Sequence, residues 1–213
     1  GVEAVVHLAA RAGVRASWGA SFATYLDCNV LSTQRLLEAV KGKPLHAFVY
    51  ASSASVYGDD ATAPVAEDAP TKPHSPYGIT KLAGEHLALL YHRLYRVPAC
   101  SLRYFSVYGP RERPDKGLQI FLSAARDGRP VTVYGDGSQT RDFTYVGDIV
   151  EATVTALQRS PAGEVINLGR GKTESLMTLL RTVEQVTGKA LDMRFAAREA
   201  GDVRVTAAIV DKA

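Results

Sequence analysis

Cysteine is almost absent from the chain: Cys28 and Cys100 are the two among 213 residues. They stand far apart with no metal-ligand spacing, so they imply neither a disulfide framework nor a zinc site. Two buried thiols in a cytosolic, cytoplasmic protein are the expectation. The five histidines, His7, His46, His74, His86 and His92, show no ligand pattern either. No apolar run is long enough to cross a membrane, and no secretory signal opens the chain. The net charge is only +3, with Lys and Arg dispersed, which argues against a nucleic-acid partner. No G-x-G-x-x-G turn occurs. Gly169-Arg-Gly-Lys-Thr173 lacks the earlier glycine of a phosphate-binding P-loop, because Ile166 holds that place, and it reads as a turn opening a helix. Repeats and low-complexity stretches are missing too. The composition that remains, 46% hydrophobic, is that of one large domain or two small ones.

Apolar runs bounded by Gly, Pro or Ser predict strands over 2–8, 46–52, 99–105, 130–134, 164–168 and 190–196. Helical periodicity predicts helices over 21–40, 77–95, 146–158 and 175–187. The first hundred residues therefore run β-α-β-α-β, which implies a parallel sheet with right-handed crossovers. Ligands of such sheets bind beyond the carboxyl ends of the strands, where His7 to Ala10, Ser52 to Ser55 and Tyr104 to Ser106 fall. After Gly109 the texture becomes charged and turn-rich. Residues 1–105 read as a doubly wound α/β domain, and 106–213 as a smaller, less regular part covering the sheet. The fold class is α/β. Because Val2 to Leu8 is already strand-like, the chain is expected to begin in the middle of a fold.

Tyr77-Gly-Ile-Thr-Lys81 carries the chemistry. Residues four apart share a helix face. An ammonium beside a phenol favours the phenolate and is expected to lower the tyrosine pKa. Such a tyrosine can take a proton from a substrate hydroxyl, and a serine from the run Ser52-Ser-Ala-Ser55 can orient that hydroxyl.

Val6-His-Leu-Ala-Ala10, Asn29-Val30, Ser52-Ser-Ala-Ser-Val-Tyr-Gly58, Ser75-Pro-Tyr-Gly-Ile-Thr-Lys81, Arg103-Tyr-Phe-Ser-Val-Tyr-Gly-Pro110, Tyr134-Gly-Asp-Gly-Ser138, Arg141-Asp-Phe143 and Gly201-Asp202 run in order nearly end to end. Together they resemble the extended short-chain dehydrogenase/reductase family, in its NAD-dependent epimerase/dehydratase branch. The family's opening strand, Gly-rich turn and acidic ribose ligand do not occur. By that resemblance about seventy residues are expected in front, the piece that grips the pyrophosphate.

The resemblance implies that 1–105 is the remainder of a Rossmann-like NAD-binding domain and 106–213 mainly a substrate-binding domain partly interleaved with it, with NAD as cofactor and a UDP-sugar as substrate. Tyr77 is then the catalytic base, Lys81 holds the nicotinamide ribose, and Ser53 bonds the hydroxyl being oxidised. Leu8, Ala9, Ala10 and Ala12 pass the cofactor. Cys28 departs from the polar side chain found there in relatives. Ser52, Tyr104 and Phe105 lie by the nicotinamide. Ser106 and Arg113 match relatives that act on uronic acids. Leu118, Thr132, Val133 and Tyr134 align with a uridine-binding stretch, Arg141 with a diphosphate-binding arginine, and Arg198 offers a second.

Dehydratases of the branch carry acidic residues where this chain has Ala54 and Ser55. Expelling water needs an acid and a base beyond the tyrosine. The expectation is therefore 4-epimerisation of UDP-glucuronate or UDP-glucose through a transient 4-keto sugar. A 4,6-dehydratase and a non-catalytic nucleotide-binding protein are the alternatives. Helices 21–40 and 77–95 are apolar over more than one stripe, and in relatives the second stripe pairs in a homodimer.

Overall fold

The computed structural model describes residues 1–59, 63–199 and 201–213. Strand β1 (Ala4–His7) leads through a loop to helix α1 (Phe22–Tyr25), a π-helical segment (Leu26–Leu31) and α2 (Ser32–Val40). Strand β2 (Ala47–Ser53) ends in a single 3-10 turn over Ala54–Val56. Helix α3 (Pro76–Tyr95) precedes β3 (Ala99–Tyr104). The later elements are β4 (Ser106–Tyr108), α4 (Gly117–Asp127), β5 (Val131–Tyr134), β6 (Thr140–Arg141), β7 (Phe143–Tyr145), α5 (Val146–Arg159), β8 (Val165–Leu168), β9 (Glu174–Ser175), α6 (Leu176–Thr187), β10 (Met193–Ala196) and β11 (Val205–Thr206).

The main sheet is parallel throughout, in the order β1-β2-β3-β8. Strand β2 is buried along almost its whole length, as a parallel strand covered on both faces must be. One face packs Leu37, Ala88 and Tyr91 of α2 and α3 against Phe48 and Tyr50. The other packs Ile149 and Ala156 of α5 against Val49, Cys100 and Leu102. A second core gathers Phe121 and Ala125 of α4, Val131 and Val133 of β5, and Leu180 and Val183 of α6.

Residues 164–168 join the main sheet beside β3, and α5 covers that sheet, so segments after residue 105 contribute to the first part of the fold. Two sequence expectations change here. The helix expected over 21–40 is interrupted by its π segment, a feature that places side chains differently from a continuous α-helix and recurs at functional sites. Helix α4 lies in the stretch read as irregular. Its apolar stripe of Leu118, Phe121, Leu122 and Ala125 packs on the second core.

Candidate active site

The start of α3 is fixed by local chemistry. Ser75 caps the helix by accepting from the Gly78 amide at 3.0 Å, and Pro76 occupies the first turn. Tyr77 therefore stands at the helix entrance, beside the end of β2. Gly78 makes the approach possible, since a Cβ there would lie 2.5 Å from the Ser55 carbonyl oxygen. Ser53, the last residue of β2, accepts from the Ser55 amide at 3.2 Å through Oγ, which leaves its hydroxyl proton free to donate.

Tyr77 is half-buried, its ring edge-on to Tyr25 at 6.3 Å between centroids. Burial raises its pKa, and the Ser53 hydroxyl and the Arg113 charge draw it back down. The phenol is thus raised rather than lowered, and the strongest group opposing burial is Ser53 rather than the Lys81 ammonium. That ammonium lies over the Tyr50 ring, 4.5 Å from the centroid, and burial lowers its pKa to about 8. Helical spacing puts Tyr77 and Lys81 on one face, yet the two side chains leave that face for different neighbours. The structure thus brings Ser53, Tyr77 and the charge of Arg113 together and sets Lys81 one turn deeper.

Asn29, buried in the π segment, is the clamp that sequence reading left without a role. Its Oδ1 accepts from the Arg11 amide at 2.7 Å, and its Nδ2 donates to the Arg11 carbonyl at 3.0 Å and to Thr80 Oγ1 at 2.9 Å. The loop after β1 is thereby tied to the helix turn between Tyr77 and Lys81. Tyr25 donates to the Gly13 carbonyl at 2.9 Å and holds the same loop from below. The sequence signal for Asn29 is a lone amide within an apolar helix stripe, which needs buried partners.

Leu8, Ala9 and Ala10 are exposed along this loop, Ala12 is half-buried, and Cys28 is exposed on the π segment. Ser52 Oγ is buried with no hydrogen-bond partner among the described residues. An orphaned hydroxyl at the carboxyl end of a parallel strand costs free energy unless a polar ligand group meets it. The residues fit a polar cofactor in this crevice on that ground. Tyr104 and Phe105 contribute differently than expected. Successive strand residues alternate faces, so Tyr104 Oη meets Thr153 Oγ1 of α5 at 2.8 Å while Phe105 is buried against Tyr57. Both side chains are committed elsewhere, and what remains for a ligand at 104–105 is backbone.

The second half supplies cations. Arg141 is half-buried and, among the described residues, donates to carbonyls alone, those of Thr140 at 2.8 Å and Arg204 at 3.3 Å. Burial lowers its pKa against the opposing pull of Asp202 and Asp59. Arg198 is exposed and donates to the Asp202 carbonyl at 3.0 Å. Arg15, missed in the sequence, reaches across from the first half to Asp202 at 2.7 Å and stacks over the Tyr134 ring at 4.2 Å. Ser106 is half-buried at the head of β4, and Arg113 pairs with Asp115 at 3.0 Å. Leu118 lines a cleft of about 360 Å³ between α4 and α6. Thr132 is exposed, but the Val133 side chain is fully buried in the second core, so its backbone alone can face a ligand.

Asp142 explains the glycine turn that looked like a P-loop. This fully buried carboxylate accepts from the Arg170 amide at 2.7 Å and the Gly171 amide at 2.9 Å. A Cβ at Gly169 would fall 2.7 Å from it. The amides that would cradle a phosphate in a P-loop are used internally. Among the described residues no cluster could hold a metal ion, and no helix is long and apolar enough to cross a membrane.

Residues 1–169 match the NAD dependent epimerase/dehydratase family. The chain is 40% identical, over its whole length, to 65% of a UDP-glucuronate 4-epimerase of Thermodesulfobacterium geofontis. It is also 40% identical to the Bacillus subtilis protein named uncharacterized UDP-glucose epimerase YtcB, again over its whole length and 67% of the relative. Among solved structures, the UDP-glucuronic acid 4-epimerase from Bacillus cereus in complex with UDP-glucuronic acid and NAD aligns with a TM-score of 0.95 at 43% identity, over 99% of this chain and 67% of that one. The chain thus spans about two thirds of the length of these relatives. It belongs to the NAD dependent epimerase/dehydratase family.

Proposed function

We propose that this chain carries the catalytic and substrate-binding parts of an NAD-dependent UDP-sugar 4-epimerase, acting on UDP-glucuronate or UDP-glucose. The observation that carries the reading is the Tyr77 hydroxyl facing Ser53 at the carboxyl end of the sheet, with no carboxylate at Ala54 or Ser55. Elimination of water would need such a group free. Glu67 is engaged by the Asn167 amide at 2.8 Å and Glu85 by Arg103 at 2.6 Å, so neither is free for such a role.

Bound NAD would supply a hydride acceptor and donor at the sugar carbon. The loop 8–12, Cys28, Ser52, Lys81 and the backbone of 104–105 are the groups that would hold it. Ser53 orients the sugar hydroxyl and Tyr77 takes and returns its proton. Arg141 anchors the diphosphate, because a half-buried guanidinium that forms no ion pair among the described residues suits bidentate phosphate binding. Arg198 adds a second cation. Tyr134 with the backbone of 132–133, together with Leu118, serves the uridine, while Ser106 and Arg113 receive a sugar carboxylate. Inverting C4 requires the hexose to turn over while the nucleotide stays gripped, and a site with most of its cations on the nucleotide side meets that need.

Incubating the full gene product with UDP-glucuronate and UDP-glucose separately, with Tyr77→Phe alongside, tests the reading. Product inverted at C4 is expected, with turnover lost in the variant by at least about a hundredfold. Undiminished turnover in Tyr77→Phe would remove Tyr77 from the chemistry, and an inert UDP-glucuronate would remove the uronate reading.

The exposed Leu31 and Leu36 of the π–α2 segment and Leu90, Leu94 and Tyr95 of α3 support a homodimer through these helices. Analytical ultracentrifugation of Leu94→Glu is expected to show monomer where the unaltered protein is dimeric.

A further inference from the structure

Lys81 is only 4% exposed. A buried ammonium ordinarily takes a carboxylate partner, and Glu85 stands one helical turn away. Both of its oxygens are occupied: Oε1 by Arg103 Nη2 at 2.6 Å, and Oε2 by Arg103 Nε at 3.1 Å and Ser101 Oγ at 3.2 Å. What Lys81 meets instead is the face of the Tyr50 ring, with Nζ 4.5 Å from the centroid. That ring is pinned in place. Its hydroxyl donates to the Lys81 carbonyl at 3.3 Å, and it fills the space opened by Gly84, where a Cβ would lie 2.2 Å from the hydroxyl oxygen.

The other groups packed around Lys81 are neutral or already paired, although the Glu85 charge still raises its pKa against burial. From β1 comes His7, with Nε2 2.9 Å from Thr33 Oγ1. Thr33 gives its single hydroxyl proton to the Asn29 carbonyl at 2.6 Å, so it can only accept from His7, which fixes the Nε2–H tautomer. The π–α2 segment presents the uncharged Asn29 and Thr33. On α3 the titratable neighbours are Tyr77 and the engaged Glu85, and β3 contributes Arg103, paired with Glu85.

We propose that Tyr50 is a positioning residue whose π face holds the Lys81 ammonium charged and aimed at the catalytic crevice. A ring quadrupole stabilises a cation without cancelling it. A carboxylate in the same place would neutralise the field of Lys81, whereas the neutral ring leaves a full positive charge for the crevice where Tyr77 transfers its proton. The catalytic consequence rests on the epimerase reading, but the titration of Lys81 does not.

The test is a series at position 50 in the full gene product: Tyr50→Phe, then phenylalanines of rising fluorination, which keep the shape and drain the ring quadrupole, and Tyr50→Leu. Lys81 is followed by NMR titration of ¹³C-labelled lysine. With Phe, its pKa is expected to stay near the native value of about 8. It should fall stepwise with fluorination, by about one unit or more at the end of the series. In the same variants kcat should fall by about tenfold or more, with KM for the UDP-sugar within about twofold, and the alkaline limb of kcat should move to lower pH. Phe should preserve both. A Lys81 pKa indifferent to fluorination overturns the proposal, as does Phe losing as much kcat as Leu. If the unaltered protein turns over no UDP-sugar, the proposed function fails, while the titration series still decides the role of Tyr50.

Discussion

The Glu85–Arg103 pair offers the sharpest test of how the site is supported. The two side chains are 2% and 5% exposed and meet through two hydrogen bonds. Arg103 also donates to Tyr57 Oη at 2.7 Å and the Glu67 carbonyl at 2.9 Å, and Tyr57 passes the chain on to Asn167 Oδ1 at 2.7 Å. The network thus joins the turn after β2 to α3, β3 and β8. Glu85→Ala leaves a guanidinium buried without its counter-charge. Solvent screening is negligible at this exposure, so the cost should be that of breaking a buried pair, about 3 to 5 kcal/mol. With a urea m-value of about 2 kcal/mol/M, the unfolding midpoint should drop by about 2 M. The double variant Glu85→Met with Arg103→Met removes both charges and should recover most of the loss. A single-variant cost below about 1 kcal/mol would show that water reaches the pair and that the account of α3 as a rigid support is wrong.

Burial and the Lys81 charge lower the pKa of His7 from 6.5 to about 4. The unfolded chain therefore binds the extra proton first, so stability from this group is complete above pH 6.5 and is lost as pH falls toward 4. The unaltered protein minus His7→Asn should lose about 3 kcal/mol across that window in denaturant titrations, and a flat difference would show that His7 is not kept neutral. Asn29→Ala should cost about 2 to 4 kcal/mol by stranding the Arg11 backbone and Thr80. Hydrogen exchange should then speed up at the Arg11 amide, while unchanged exchange would mean that another group holds the loop.

The sheet was legible in the sequence because its strands are short apolar runs with clear stops, and β-α-β alternation leaves little topological choice. Strand ends then drew attention to Ser52 and Ser53, which close β2. Helix α4 was hidden behind the charged turn Pro110–Asp115 and starts without a capping side chain, so no boundary signal announced it. The π segment leaves no clear mark, since it keeps an apolar stripe while shifting its register. Arg103 on a strand and Glu85 on a helix each look like surface charges until tertiary packing joins them. The resting place of the Lys81 ammonium was hidden for a related reason: spacing shows which face a side chain leaves from, but not that Tyr50 lies beneath it or that burial outweighs the groups lowering the Tyr77 pKa. The side chains of Tyr104 and Val133 were assigned to ligands by alignment, while strand alternation sends them to α5 and the second core.

The central claim is that a single carbon loses and regains its hydrogen under the control of Tyr77 and Ser53. It is tested most directly with UDP-glucose and UDP-glucuronate deuterated at C4 and NMR of the products from the full gene product. The account predicts a C4-inverted sugar that keeps its deuterium at C4, and loss of this conversion in Tyr77→Phe. Deuterium found at C6 of a 4-keto-6-deoxy sugar, or washed out into water, would contradict it.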